Sequence, residues 1–187
     1  NNNFVSDMND FSAIINKEKI YVDFVVNALH GTPGEDGKIQ GYLDLIGLPY
    51  SSCGVFTSAL TFDKIATKKV LSDSGIRMAK MVEHRKGKEI NYSGIAKLVN
   101  FPCFVKPNMA GSSYGVTKVF KEDELQKAVD LAHTEDDTVL VEEFIEGIEV
   151  SCGLFKTSKR TCVLPITEID TKNEYFDTDA KYDPELT

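Results

Sequence analysis

The sequence predicts an α/β fold, and two observations carry that expectation. Residues 22–51 read as strand, loop, helix and strand, the unit from which parallel sheets are wound. From residue 101 onward strand-like runs dominate, with one amphipathic helix among them. Residues 22–29 are mostly apolar and bounded by a Gly/Pro-rich loop, as a buried parallel strand would be. The loop at 30–38 leads into residues 39–46, a short helix stopped near Gly47, and residues 48–51 supply the second strand. This amounts to half of a doubly wound domain at most.

From Ser58 the pattern turns helical: Phe62, Ile65, Ala66 and Val70 share one face, and Gly75 offers a C-terminal stop. The basic stretch 83–88 reads as a solvated loop rather than a binding patch. Residues 101–107 form a strand ending in Lys106-Pro107, and the turn-rich stretch 108–115 joins it to a strand at 116–120, giving a hairpin with a glycine-rich tip. Glu122, Asp123 and Glu124 then open a helix carrying Leu125, Ala128, Val129 and Ala132, negative charge being favoured at a helix N-terminus. Strand-like runs follow at 138–145, 149–155 and 161–169. No internal repeat or low-complexity segment interrupts them.

A chain of 187 residues, 42% hydrophobic and 27% charged, has the composition of a globular protein and can hold one large domain or parts of two or three. No apolar run approaches the roughly 20 residues that span a bilayer. The start Asn1-Asn2-Asn3-Phe4 lacks the basic and apolar stretches of a signal peptide, so the expected location is cytoplasmic, with no membrane partner. A formal charge of −8, without a basic run, argues against nucleic acid as a partner. Cys53, Cys103, Cys152 and Cys162 form no C-x-x-C pair and sit in apolar segments, so buried free thiols are expected, with neither a disulfide nor a zinc site.

Three segments invite a chemical reading. The loop 30–38 is glycine-rich and follows a strand, but Asp36 stands where a P-loop needs glycine and Ile39 where it needs Ser or Thr. In the run VKPNMAGSSYG at 105–115, a strand-end lysine supplies a fixed cation, and a tip of small residues lets N–H groups and two hydroxyls close over a polyphosphate. An exposed hairpin with a solvated lysine accounts for that run equally well. At 139–145 an apolar strand ends in Glu142 and Glu143, then Phe144 and Ile145, which can offer backbone hydrogen bonds and an apolar wall to adenine, with Glu149 near the ribose. Taken alone, this segment reads as a buried strand with a solvated acidic end.

In this order and at these separations the segments resemble the ATP-grasp superfamily, and within it the D-alanine:D-alanine ligases. The matching strings are Leu29-His30-Gly31 with Gly34-Glu35-Asp36-Gly37, Gln40-Gly41, Gly47-Leu48-Pro49-Tyr50, Asp63-Lys64, the 105–115 hairpin, Val141-Glu142, Gly147-Ile148-Glu149 and Asp179-Ala180-Lys181-Tyr182. The resemblance implies a partial doubly wound substrate domain at 1–57, an α+β grasp subdomain with the hairpin at 58–146, and the start of a C-terminal grasp subdomain with an ω-loop at 147–187. It implies ATP and magnesium or manganese as cofactors, D-alanine as substrate, and a homodimer. ATP would phosphorylate one D-alanine carboxylate, and the amine of a second would attack the acyl phosphate. A reactive acyl phosphate must be shielded from water, and two approaching anions need fixed positive charge.

Carried over by position, Lys64 and Lys106 resemble the lysines that hold the phosphates, Ser113 lies in the loop that covers them, and Lys181 reaches phosphate from the ω-loop. Glu142, the backbone at Glu143 and Ile145, and Phe144 resemble the adenine pocket, with Glu149 on the ribose. The side chain at Glu143 is acidic where relatives are often basic, so only a backbone role is implied there. His30 resembles the residue beside the first D-alanine, and Ser112 and Tyr182 two members of a set that orients the substrate amine. Phe176-Asp177-Thr178 stands where relatives usually have Tyr-Asp-Tyr. The metal-binding acids of the family would fall beyond Thr187, so no metal ligand is expected here, and these 187 residues alone are not expected to catalyse ligation. Rival readings are a D-alanine:D-lactate or D-alanine:D-serine ligase and a non-catalytic ATP-grasp module. An exposed strand-end lysine adds little stability, so Lys106→Ala is expected to leave folding nearly intact.

Overall fold

The computed structural model describes residues 7–172 and Lys181. The chain divides into two compact units, Asn1–Ile76 and Arg77–Thr187. The first opens with β1 (Ala13–Ile15) and β2 (Glu18–Ile20), paired antiparallel with Ala13 opposite Ile20. Asn16 and Lys17 between them have φ of 52° and 72°, the positive pair that a two-residue type I′ turn requires, and asparagine is among the residues that tolerate it. The expected parallel pairing of 22–29 with 48–51 exists only as a bridge between Val25 and Tyr50. Its hydrogen bonds run from Val25 N–H to the Pro49 carbonyl and from Ser51 N–H to the Val25 carbonyl. The expected burial is not met: Phe24, Val26 and Leu29 are 51–75% exposed. With pairing reduced to one bridge, nothing among the described residues covers those side chains.

α1 (Lys38–Leu45) follows the loop as expected, burying Gln40 and Leu43 and ending before Gly47, whose φ is 70°. The single helix expected from Ser58 is two, α2 (Val55–Phe62) and α3 (Lys64–Leu71). Asp63 breaks them: its backbone is extended, and its carboxylate accepts the Ala66 N–H at 2.7 Å, an N-cap that satisfies one of the orphan donors at the start of α3. The break ends the common apolar face, so Ile65 is buried while Val70 is 60% exposed. α3 stops at Leu71, ahead of Gly75.

In the second unit, β3 (Met81–Arg85), β4 (Cys103–Pro107), β5 (Thr117–Val119) and β6 (Thr138–Glu143) form an antiparallel sheet in the order β3-β6-β4-β5. α4 (Tyr92–Val99) and α5 (Leu125–Ala132), the latter after a 3-10 turn at Glu122–Glu124, pack on one face. Period-two alternation sends Cys103, Val105, Val119, Val139 and Val141 into a core with Ile95, Val99, Leu125, Ala128, Val129 and Ala132. The hairpin, the acidic turn, the α5 face and β6 follow the sequence reading.

Two elements do not. β3 occupies part of the stretch read as a solvated loop: it is an edge strand whose charged residues sit partly exposed, and the loop proper begins at Lys86. α4 carried no expectation, yet Asn91 caps it by accepting the Gly94 N–H at 2.9 Å, and Ile95 and Val99 make its buried stripe. Behind the sheet, His84 of β3 meets His133 at the end of α5, Nδ1 to Nε2 at 3.0 Å.

β7 (Val150–Lys156) and β8 (Thr161–Glu168) pair antiparallel, with an irregularity between Cys152 and Leu154. Leu154, Val163 and Ile166 are 61–71% exposed. The expectation of four buried thiols therefore holds only for Cys103: Cys53 and Cys152 are exposed and Cys162 half-buried, because their segments are paired or looped without being covered. Burial pushes the Cys103 thiol up to about 11. Among the described residues no helix is long and apolar enough to cross a membrane.

Candidate functional site

The face of the β3-β6-β4-β5 sheet turned away from α4 and α5 gathers the chemistry. Alternation puts Phe104 and Lys106 of β4 on it, and the antiparallel register sets both Glu142 and Lys118 opposite Phe104. Glu142 is diagonal to Lys106, within reach of a long side chain. The Lys106 ammonium donates to Glu142 Oε2 at 2.5 Å, with the two side chains 26% and 13% exposed. The same ammonium lies 5.1 Å from the Phe104 ring centre. The expected solvated strand-end lysine is thus a half-buried, paired one. Phe144, just past β6, lies 6.0 Å from Phe104 at an interplanar angle of 51°. Lys118 lies over the Phe144 ring at 4.3 Å and 5.4 Å from that of Phe120.

Glu143 is tied to the chain at Lys80: its N–H donates to the Lys80 carbonyl at 2.9 Å, and its carboxylate accepts the Lys80 N–H at 3.0 Å. Its side chain therefore has a structural use. Ile145 is 63% exposed, and Glu149 is exposed with its carbonyl accepting the Ile169 N–H.

The hairpin tip is anchored at its start. Asn108 N–H donates to the Thr138 carbonyl, while the Asp136 carboxylate accepts the N–H groups of both Met109 and Thr138. Ser112 and Ser113 then take positive φ of 49° and 60°, a left-handed pair that residues with a Cβ rarely adopt. Gly115, at φ 67°, admits nothing larger, since a Cβ there would lie 2.9 Å from the Pro107 ring and 3.0 Å from Glu135. Lys181 Nζ donates to Ser113 Oγ at 2.7 Å, so two residues expected at the phosphates meet. Tyr182 lies outside the described residues.

His30 and Lys64 belong to the first unit. His30 is exposed at the head of a loop held by its own side chains. Asn27 Nδ2 and Gln40 Nε2 both donate to the Gly34 carbonyl, and Glu35 accepts the Gly31 N–H. Thr32 and Lys38 both donate to Asp36, whose side chain is 2% exposed. Burial raises the Asp36 carboxyl, and those hydrogen bonds outweigh it, leaving it below its ordinary value. Gly34 is required because a Cβ would sit 2.4 Å from that of Leu29. Lys64 is the first residue of α3, immediately after the Asp63 cap.

Sequence reasoning gave no role to Phe104 or Lys118, and named Asp63 only within the string Asp63-Lys64, without its capping role. The first is two residues from Lys106 on one strand, and the second is its register partner across the hairpin, so alternation would have found both. Among the described residues no group of three or more His, Cys, Asp or Glu is placed to hold a metal ion.

Residues 70–187 match the family model described as D-ala D-ala ligase C-terminus, and residues 4–53 the one described as D-ala D-ala ligase N-terminus. The chain belongs to the D-alanine:D-alanine ligase family. It is 51% identical over 180 residues to the D-alanine–D-alanine ligase of Flavobacterium johnsoniae, covering 96% of this chain and 56% of that protein. The corresponding enzyme of Phocaeicola vulgatus is 48% identical over 179 residues, covering 96% of this chain and 55% of that protein. The chain thus spans about half the length of the curated relatives it matches. Among solved structures it resembles D-alanyl-alanine synthetase A from Vibrio cholerae (TM-score 0.82, 27% identity, 98% of this chain and 56% of that one). It also resembles the VanG D-Ala:D-Ser ligase from Enterococcus faecalis (TM-score 0.80, 36% identity, 93% and 51%). A D-alanine–D-alanine ligase from Bacillus anthracis, complexed with ATP, matches with a TM-score of 0.69 at 36% identity (79% and 48%). The mixed α/β fold is that of these ligases.

Proposed function

We propose that the protein containing this chain joins two D-alanines at the expense of ATP, through an acyl phosphate, to give D-alanyl-D-alanine for peptidoglycan. The observation that carries this reading is the sheet face of Lys106, Glu142, Phe104 and Phe144, held in a chain of this family. Phe144 and the adjoining backbone would wall the adenine, with Glu149 at the ribose. Lys106 would turn from Glu142 toward phosphate, exchanging one anionic partner for another, while Lys64, Ser113 and Lys181 would complete the phosphate shell. In the first step the D-alanine carboxylate attacks the γ-phosphorus and ADP leaves. In the second the amine of the other D-alanine attacks the carbonyl, and phosphate leaves with its bonding pair as a proton is released from the nitrogen. His30, Ser112 and Tyr182 would orient the two amino acids. Magnesium or manganese, when bound, would offset phosphate charge; among the described residues no group of three or more His, Cys, Asp or Glu is placed to hold it.

Cation-rich preorganisation of this kind acts on charge developing in the transition state. The test is to incubate the full-length protein with ATP, magnesium and D-alanine, measuring phosphate release and dipeptide, with D-serine and D-lactate as competitors. Dipeptide formed from D-alanine is the expected outcome. Preferential coupling of D-serine or D-lactate would favour the rival ligases, and nucleotide binding without turnover a non-catalytic module. We propose a cytoplasmic, dimeric protein, checked by fractionation and by sedimentation of the full-length chain.

A further inference from the structure

We propose that Lys118 is a positioning residue for the aromatic wall of the nucleotide site, fixing the Phe144 ring by capping one of its faces. The inference rests on the reading of Phe144 as the adenine wall, and deepens it by assigning what holds the wall in place. Phe144 lies beyond the last paired residue of β6, Glu143, so no strand ladder orients it. Two strands nevertheless converge on its ring. Phe104 of β4 meets it at 6.0 Å, tilted by 51°, and Lys118 of β5 stands over it at 4.3 Å. Lys118 reaches that position because the hairpin register sets it directly opposite Phe104, on the face away from the core. Its half-buried stem is flanked by Phe120, 5.4 Å from the ammonium.

A cation over a ring is attracted to the negative face of the π-system, and the attraction grows as water is removed. Since an ammonium covers one face, a planar base has the other, and the ring cannot turn without losing the cation. The wall is thereby ordered before nucleotide arrives, which lowers the ordering cost of binding. Such a device acts on nucleotide affinity and leaves the chemical step alone.

The experiment uses the full-length protein with ATP titrated at saturating D-alanine, alongside calorimetric binding of ADP. Lys118→Met, which keeps the stem and removes the charge, is expected to raise the KM for ATP and the Kd for ADP about three- to tenfold, the range of a partly desolvated cation–π contact, with kcat within about twofold. Lys118→Arg restores both constants. In a Phe144→Leu background Lys118→Met adds nothing further, because the ring it acts through is gone. Wild-type affinity in Lys118→Met, or an equal loss in both backgrounds, overturns the inference while leaving the ligase reading intact. A wild-type protein that binds no adenine nucleotide overturns both.

Discussion

Lys106→Ala tests how deeply the sheet face depends on its ion pair. The substitution leaves Glu142, 13% exposed, without the ammonium that now bonds it, and opens a space beside Phe104. Breaking a fully buried pair from one side costs about 3–5 kcal/mol. Lys106 is itself 26% exposed, so water can enter the vacated space and solvate part of the carboxylate, and the expected cost falls to about 1–3 kcal/mol. That contradicts the expectation, drawn from sequence, of a nearly neutral effect on folding. Hydrogen exchange of the full-length protein reads it locally: protection of β4 and β6 amides should fall roughly five- to 150-fold where exchange proceeds by opening of this unit. Adding Glu142→Gln, which removes the carboxylate charge, should recover much of that protection. The reasoning is refuted if Lys106→Ala exchanges like wild type, or if the double variant is no better protected than the single.

Asp63→Ala removes the cap of α3 and should cost about 1 kcal/mol in denaturant unfolding; Asp63→Asn should retain most of the stability. Asp36, held below its ordinary value, contributes stability that is present above the unfolded carboxyl value of about 3.9 and is lost as pH falls through the lower folded value. Asp36→Asn should therefore melt below wild type at pH 7, with the gap closing as pH falls below the unfolded carboxyl value; a gap independent of pH would sink the argument. Cys103, buried and raised to about 11, should resist alkylation at pH 8 until the protein unfolds, while the exposed Cys53 and Cys152 are modified before it. Equal labelling rates would show that the β4 side of the core opens readily.

What the sequence made legible follows from how local each determinant is. The α5 face of Leu125, Ala128, Val129 and Ala132 declares itself by helical spacing, and β6 by an unbroken apolar run, because both signals lie within one element. The hairpin was legible because its turn residues are contiguous. α4 escaped because Ser93 and Gly94 dilute its pattern, and the capping side chain of Asn91 had to be weighed instead. β3 escaped because an edge strand tolerates the charges of Glu83, His84 and Arg85. The exposure of Val26 was illegible, since apolar character states a preference and not whether a covering layer exists. At the site, strand positions could be reached by motif, whereas the Lys106–Glu142 pair and the seat of Lys118 depend on cross-strand register.

The alternation along β4 and β6 makes this part of the chain behave as text read two letters at a time. One residue inserted inside β4 would barely change composition, yet it would turn Lys106 toward α4 and α5 and send Val105 to the polar face. Two inserted residues would restore the parity. Length variation among working variants should therefore gather in the 157–160 turn, which lies between paired strands and carries none of the site residues. Within β4, a scan of single substitutions should beat with a period of two: volume governing Cys103 and Val105, charge and ring chemistry governing Phe104 and Lys106.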